Sequence, residues 1–174
     1  MLETERLILR QWQSSDLAPF AEMNADPEVM RYFPRPFTFA ESEDSFRKVQ
    51  NVINTNGWGW WALEHKETGE FIGATGLVSV LLHAYFVPAV EVGWRVRKQF
   101  WRQGYATEAA NAAKDYAQYK LRLPKLVSFT AVQNIPSIGV MEKIGMTRLL
   151  PNFDHPNVED DCPLKEHVVY EVRF

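Results

Sequence analysis

The sequence predicts an α+β fold in which helices flank a mixed β-sheet, and a single domain over residues 1–174. Two observations carry this prediction. Apolar residues alternate with a period of two over several short segments, which is typical of strands that bury one face. Residues 90–132 change from a strand pattern to a helical pattern and back, and such a crossover joins parallel strands, whereas a hairpin joins antiparallel ones. The sheet should therefore contain both kinds of pair.

The first part of the chain predicts a strand followed by short helical segments. Residues 5–12 alternate as a strand does, and residues 14–16 can cap a short helix that ends near residue 23. Helical structure is expected again over residues 26–32. Residues 33–37 should be irregular, because their two prolines remove backbone donors.

A longer helix and a hairpin follow. Thr38 or Ser42 can cap this helix, and Gly57 lies at its expected end. Two strand-like runs, residues 58–65 and 71–82, are separated by a turn whose glycine suits a hairpin. These two strands should pair antiparallel.

The second half of the chain contains the crossover. Residues 90–96 predict a third strand, residues 106–121 a helix with a small apolar face, and residues 125–132 a strand parallel to the third. Asn134 can cap a last helix that Gly145 closes. The chain ends in two strand-like segments, near residues 146–150 and 166–174.

Composition limits the classes of partner. The net charge is −3 at pH 7 and no block of lysine or arginine occurs, so neither nucleic acid nor an anionic membrane is an expected partner. Cys162 is the single cysteine, which excludes an internal disulfide. The amino terminus lacks the pattern of a secretion signal, and no apolar run approaches the roughly 20 residues that span a bilayer. We expect a soluble protein of the reducing cytoplasm.

The loop between the third strand and the following helix is the first candidate site. Its sequence, WRQGYATEA at residues 101–109, places Gly104 at the amino end of the helix. Backbone amides there lack helical partners and the helix dipole is positive, which suits a phosphate. Arg97, Lys98 and Arg102 add positive charge around the turn.

A second motif makes the loop more specific. NIPSIGVMEKIGM, at residues 134–146, is an asparagine-led helix that ends in a Lys-x-Gly-Met close. Together with WRQGYATEA it resembles the GNAT superfamily of N-acetyltransferases. The segments ETERLILRQW, DPEVMRYF and WWALEHKETGEFIGATGL resemble its ribosomal-protein-alanine N-acetyltransferase branch, called RimJ/RimL-like. The resemblance implies the acyl-CoA N-acyltransferase fold, with a twisted mixed sheet of about six to seven strands splayed at its middle.

The resemblance also implies residues that hold acetyl-CoA as cosubstrate. The backbone of Gln103, Gly104, Tyr105, Ala106 and Thr107 would bind the pyrophosphate, with Arg97 and Arg102 beside it. The backbone of Trp94, Arg95 and Val96 would pair with the pantetheine amides, as an added strand does. Asn134 would contact the cofactor arm. Trp101 replaces the glutamine or arginine that is common at its place in the family.

Acetyl transfer to an amine needs a base, because an alkylamine is protonated at neutral pH. Glu91 is the candidate base, since it is the lone carboxylate of the strand that would border the thioester; the alternative is a solvated edge glutamate. Ser137 is the candidate acid by resemblance, and the alternative is a local backbone contact in the first helical turn. Met141 stands where many family members carry an acidic tyrosine.

Aromatic residues suggest where the amine acceptor binds. By family analogy the acceptor lies between the early helices and the hairpin, so Tyr32, Phe33, Phe37 and Trp60 are candidate contacts, although aromatics are mostly core residues. His155 and His167 could relay protons or be structural. Because His155, Cys162 and His167 lack zinc-ligand spacing, no metal is expected.

Two functions from different classes remain open at this point. The first is an N-acetyltransferase that moves acetyl from acetyl-CoA to a primary amine, either a protein N-terminus or a small amine. The alternative is a non-catalytic acyl-CoA sensor of the same fold. We also expect a homodimer, because the predicted sheet has exposed edges that a second copy would cover.

Overall fold

A single eight-stranded sheet organises the molecule in the computed structural model, which describes residues 1–174. Its strands are β1 (Leu2–Glu3), β2 (Leu7–Arg10), β3 (Trp60–His65), β4 (Phe71–Ser79), β5 (Val90–Val96), β6 (Lys125–Ala131), β7 (Thr147–Asp154) and β8 (Glu166–Arg173). The helices are α1 (Leu17–Ala25), α2 (Phe39–Asn56), α3 (Tyr105–Tyr119) and α4 (Ile135–Lys143). The order across the sheet is β1-β2-β3-β4-β5-β6-β8-β7.

The sheet is split near its middle. All neighbouring strands pair antiparallel except β5 and β6, which are parallel. These two strands share only one register pair, Glu91 with Val127, whereas β6 and β8 pair from Lys125–Arg173 to Ala131–His167. Beyond Glu91 the edge of β5 therefore has no strand partner. The expected acyl-CoA N-acyltransferase fold is confirmed, with eight strands instead of six or seven because the two residues of β1 are too few to show a period.

Local sequence signals explain the ends of α2. Thr38 accepts a hydrogen bond from the backbone NH of Glu41, and the Glu41 side chain accepts one from the backbone NH of Thr38, which is a capping box. Gly57, at φ +75°, closes the helix in the left-handed conformation. Of the two predicted caps, Thr38 is the one used.

The prediction of a helix over residues 26–32 is wrong. The segment is a series of turns, with one helix-like bond from the Met30 NH to the Asp26 carbonyl. The reason is tertiary: the Phe37 NH donates to the Asn24 carbonyl at 2.9 Å, so the chain folds back over the end of α1. Residues 33–37 are irregular, as the prolines predict.

Apolar clusters cover both faces of the sheet. The largest packs α3 and α4 on one face, and the small side chains Ala109, Ala110 and Ala113 let α3 lie close to the strands. On the other face, Trp12, Phe20 and Phe46 pack α1 and α2 against β3 and β4. No helix is both long and apolar enough to cross a membrane.

Candidate active site

The loop before α3 presents a row of free backbone donors. None of the amides from Arg102 to Thr107 donates a hydrogen bond within the protein, and the first helical bond is from the Glu108 NH to the Gly104 carbonyl. Arg102 and Gly104 have positive φ values, 60° and 86°. Successive amides in such a conformation form a concave anion site at the positive end of the helix dipole. The arrangement fits a pyrophosphate.

The loop is held from the other side by Arg6. Its Nη1 donates to the Gln103 carbonyl at 2.9 Å, and its guanidinium lies 4.3 Å from the centroid of the Tyr105 ring. Glu108 accepts from Arg6 Nε at 2.7 Å, and Tyr105, which is buried, has its hydroxyl 2.9 Å from His65 Nε2. Sequence reasoning missed Arg6, because nothing in its own segment indicates a contact with a loop about 100 residues away.

The side chains of Arg97 and Lys98, which were expected to add positive charge to the phosphate loop, form ion pairs outside it. Arg97 pairs with Glu70 at 2.9 Å and with Glu22 at 3.6 Å, and Lys98 pairs with Glu28 at 2.5 Å. These carboxylates lie on α1, the segment after it and the β3–β4 hairpin. The prediction that the Arg97 side chain adds charge to the phosphate loop is therefore corrected. Arg102 is exposed and has no acidic partner.

The open edge of β5 borders the split in the sheet. Since the Arg97 NH donates to the Ile72 carbonyl of β4, strand alternation turns the backbone groups of Trp94 and Val96 towards the split. The Val96 carbonyl accepts a hydrogen bond from Trp101 Nε1 at 2.7 Å. Trp101 thus ties the loop to the strand, and the Trp94 groups have no strand partner. The Arg95 backbone faces its register partner Ala74 of β4, so the prediction that it pairs with pantetheine is corrected.

The start of α4 faces the same region. Asn134 caps the helix: its side-chain oxygen accepts from the Ser137 NH at 3.3 Å, and its Nδ2 donates to Thr130 Oγ1 at 2.8 Å. Both ends of the Asn134 amide are thus used within the protein. The half-buried Ser137 hydroxyl makes no hydrogen bond of its own, and Met141 is buried in the core.

Glu91 is a half-buried carboxylate without an ion pair. Burial raises its pKa to about 8, because removal from water disfavours the charged form. The space beside it depends on Gly93, where a Cβ would lie 2.9 Å from the Trp60 ring and 3.8 Å from Glu91 Oε1. A group with such a pKa can take up a proton near neutral pH.

A cavity of about 420 Å³ lies between α2 and the strands on the Glu91 side of the sheet. Trp60, Val78 and Arg95 are among its lining residues, and Val78 is the register partner of Glu91. The residues that line it are mostly apolar, and Trp12, Phe20, Val49, Val52 and Trp58 belong to them.

The four predicted acceptor contacts occupy three different places. Trp60 lines the cavity. Phe33 and Phe37 do not line it, but they pack on Arg95, whose guanidinium carbon is 4.4 and 5.8 Å from their ring centroids. Tyr32 does not line it either, and its ring packs against Arg31. The prediction for Tyr32 is not supported by its position.

His155 and His167 form a ring cluster with Phe129 and Phe153 instead of a metal site. The two imidazoles are 4.9 Å apart between centroids. Burial lowers the pKa of His167 to about 4 and lowers that of His155. No group of three histidine, cysteine, aspartate or glutamate side chains is arranged to hold a metal ion.

Comparison with known proteins gives the family. Residues 6–147 match the model of the acetyltransferase (GNAT) domain. The uncharacterized protein YkkB of Bacillus subtilis is 34% identical over 146 residues, which are 83% of this chain and 84% of that protein.

Solved structures share the architecture. The acetyltransferase of Agrobacterium tumefaciens is 31% identical with a TM-score of 0.78, covering 99% of this chain and 94% of that one. The spermidine N-acetyltransferase of Vibrio cholerae, solved with CoA and spermine, is 21% identical with a TM-score of 0.76, covering 98% of this chain and 96% of that one. At this identity the likeness shows the fold alone.

Proposed function

This chain belongs to the GNAT acetyltransferase family of acetyl-CoA-dependent acyltransferases, and from that premise we propose that it acetylates a primary amine, either a small molecule or a protein N-terminus. The observation that carries the proposal is the row of six free amides from Arg102 to Thr107, beside the unpaired edge of β5. Anion-binding amides and an open strand edge are what a pyrophosphate and an amide-bearing arm require.

The residues that would hold acetyl-CoA follow from this fit. The amides of Gln103, Gly104, Tyr105, Ala106 and Thr107 would bind the pyrophosphate. The exposed Arg102 side chain would add charge, and the Trp94 backbone would pair with the pantetheine arm. When bound, acetyl-CoA supplies an activated thioester carbonyl. Asn134 would act by fixing the start of α4, because its amide is already occupied by Thr130 and Ser137.

Glu91 would accept the proton of the incoming amine. Its carboxylate lies on the cavity side of β5 and has no ion pair to hold its charge. A base whose pKa is close to the working pH combines a useful deprotonated fraction with sufficient proton affinity. Ser137 would hold a proton for the departing sulfur, since its hydroxyl is not engaged within the protein.

We place the chain in the RimJ/RimL-like branch on its sequence motifs, with a cytoplasmic location and a homodimer as further proposals. The exposed edge strand β7, where Leu150 is 75% exposed, is the surface available for such a dimer. The branch assignment rests on the motifs and not on the architecture, which a spermidine N-acetyltransferase shares.

Calorimetric titration with acetyl-CoA tests the proposal, with desulfo-CoA and adenosine as comparisons. We expect micromolar binding, about −8 kcal/mol, for both ligands that carry the pyrophosphate and none for adenosine. Thiol release is then measured in the same sample across a panel of amines and peptides. Binding without thiol release from any acceptor would instead favour the acyl-CoA sensor.

A further inference from the structure

We propose that Arg95 binds a carboxylate of the acceptor, so that the substrate is a small amine that also carries a carboxylate. The inference rests on the proposed acetyl transfer for its chemistry and deepens it by naming the acceptor class. It starts from the Arg95 side chain, which lines the cavity of about 420 Å³ on the Glu91 side of the sheet. A cavity of this size accommodates a metabolite-sized ligand.

Arg95 is the only arginine that is not exposed and that has no acidic partner. Arg6 pairs with Glu108, Arg10 with Asp16 and Glu64, and Arg97 with Glu70 and Glu22. Arg95 has no carboxylate within 4 Å. An uncompensated charge in an apolar setting is costly, which points to a partner outside the chain.

The guanidinium is held in place but only partly satisfied. Nη1 donates to Asn24 Oδ1 at 2.6 Å, and the plane is flanked by Phe33 and Phe37. The Nε atom is buried and has no hydrogen-bond partner. Burial lowers the pKa of Arg95 to about 10, which leaves it charged at neutral pH. Nη2 makes no hydrogen bond within the protein, and it is the guanidinium nitrogen that can donate to a carboxylate in the cavity.

A second ionisable group, the Glu91 carboxylate, lies on the same strand and on the same side of the sheet as Arg95. Glu91 is four residues before Arg95, on the same face of β5, and only Gly93 lies between them on that face. Four residues of strand span about 13 Å between Cα atoms, and both side chains are long enough to approach a ligand over the Trp60 ring. Carboxylate and guanidinium therefore bracket the glycine, with opposite charges suited to the amine and the carboxylate of one molecule.

The test compares matched acceptor pairs that differ only in a carboxylate: alanine with ethylamine, γ-aminobutyrate with propylamine, and lysine with cadaverine. We expect the wild type to favour the carboxylated member by 10- to 100-fold in kcat/KM, as a charge-assisted hydrogen bond provides. Arg95→Gln should remove this preference through KM with little change in kcat. Arg95→Lys keeps the charge and should retain part of it.

Arg47→Gln is the matched control, because Arg47 is an exposed arginine of α2 that pairs with Glu43. It should leave the preference unchanged. Acetyl-CoA affinity and thermal melting of all variants establish that they fold and bind the cosubstrate. Equal preferences in wild type and Arg95→Gln, or no preference in either, would overturn the inference.

A binding measurement separates this inference from the proposed function. N-acetylalanine and N-acetylethylamine are titrated into wild type and Arg95→Gln in the presence of CoA. The inference is supported if N-acetylalanine binds, N-acetylethylamine does not, and the binding is lost in Arg95→Gln. If that result comes without turnover of any amine, the inference stands and the proposed function fails. If N-acetylalanine shows no binding that depends on Arg95, the inference is overturned. Peptides with an acidic first residue form a further arm, which distinguishes a free amino acid from a protein terminus as the source of the carboxylate.

Discussion

At the scale of single residues, the clearest effect of the fold is on the pKa of Glu91. Its carboxylate is removed from water without gaining a cationic partner, so its pKa rises to about 8. Such a group is protonated over much of the neutral range and becomes a base as the pH rises. The same residue in an exposed strand would be ionised and a weak base.

Glu91→Gln should lower kcat by about 100-fold, because general-base catalysis typically contributes 10²- to 10⁴-fold. The wild-type kcat/KM should rise with pH through a midpoint near 8, and this limb should be lost in the variant. Any limb due to the acceptor amine would remain in both. Glu67→Gln, in the exposed hairpin turn, is the control. Full turnover by Glu91→Gln with an unchanged pH profile would show that another group is the base.

Ser137→Ala should lower kcat about tenfold while acetyl-CoA affinity stays within twofold, because only the hydroxyl is removed and the capping bond uses the Ser137 backbone NH. Steady-state kinetics and calorimetry check the two halves of this prediction. An unimpaired kcat would show that Ser137 only takes part in the start of α4 and is not the general acid.

His167→Phe should make the protein more resistant to acid. An unfolded histidine takes up a proton near pH 6.5, but native His167 resists protonation to about pH 4, so wild-type stability falls as pH falls through that window. The loss is about 3 kcal/mol by pH 4, since each pKa unit corresponds to about 1.4 kcal/mol. Denaturant unfolding at pH 7 and pH 4.5 measures it, with His83→Phe, an exposed histidine, as control. Identical pH slopes in wild type and His167→Phe would contradict the burial argument.

At the scale of elements, the loop and the first turn of α3 act as one unit. Arg6 holds the Gln103 carbonyl and the Tyr105 ring from below, and His65 holds the Tyr105 hydroxyl. These contacts fix the loop while its amides keep no hydrogen-bond partner within the protein. The loop is therefore held in place by the turn before β2 and by the end of β3.

Gly104→Ala should weaken acetyl-CoA binding at least tenfold, because φ is +86° and a Cβ would lie 3.3 Å from Arg6 Nη2. The strain should also cost about 1 kcal/mol of stability. Gly57→Ala is the matched control: its φ is +75°, no atom lies within 4 Å of the added Cβ, and it closes α2 on the sheet face opposite α3. It should lose similar stability with full affinity. Equal affinity losses in both variants would attribute the effect to general destabilisation.

At the scale of the whole molecule, the split between β5 and β6 divides the sheet into two halves that α3 connects. Amide hydrogen exchange should show this division. In the free protein the amides of residues 102–107 and of Trp94 should exchange fast, since they have no internal acceptor, whereas β8, which pairs with β6 on one side and with β7 on the other, should exchange slowly. Acetyl-CoA should protect the first group and leave the second unchanged. Protection that spreads evenly over the chain would contradict a cofactor seated in the split.

Much of the fold could be predicted because its signals are local. The alternation in β2 and β5, the capping box at Thr38 and the small face of α3 each depend on residues a few positions apart, so element types and most ends follow from short segments. The segment after α1 shows the limit. Its sequence has a helix-like pattern, but a hydrogen bond between Phe37 and Asn24 holds it in turns, and no feature of the local sequence predicts that bond.

The candidate site divides in the same way. By itself the sequence determined the strand-loop-helix order, the glycine that leaves the phosphate loop bare, and Glu91 as the single carboxylate of β5. Only the tertiary structure decided that Arg6 braces that loop, that Arg97 and Lys98 are engaged by carboxylates elsewhere, and that Arg95 enters a cavity without a carboxylate partner. The physical reason is that backbone conformation responds to neighbours in sequence, whereas the partner and the burial of a charge are set by residues that long-range packing brings to it.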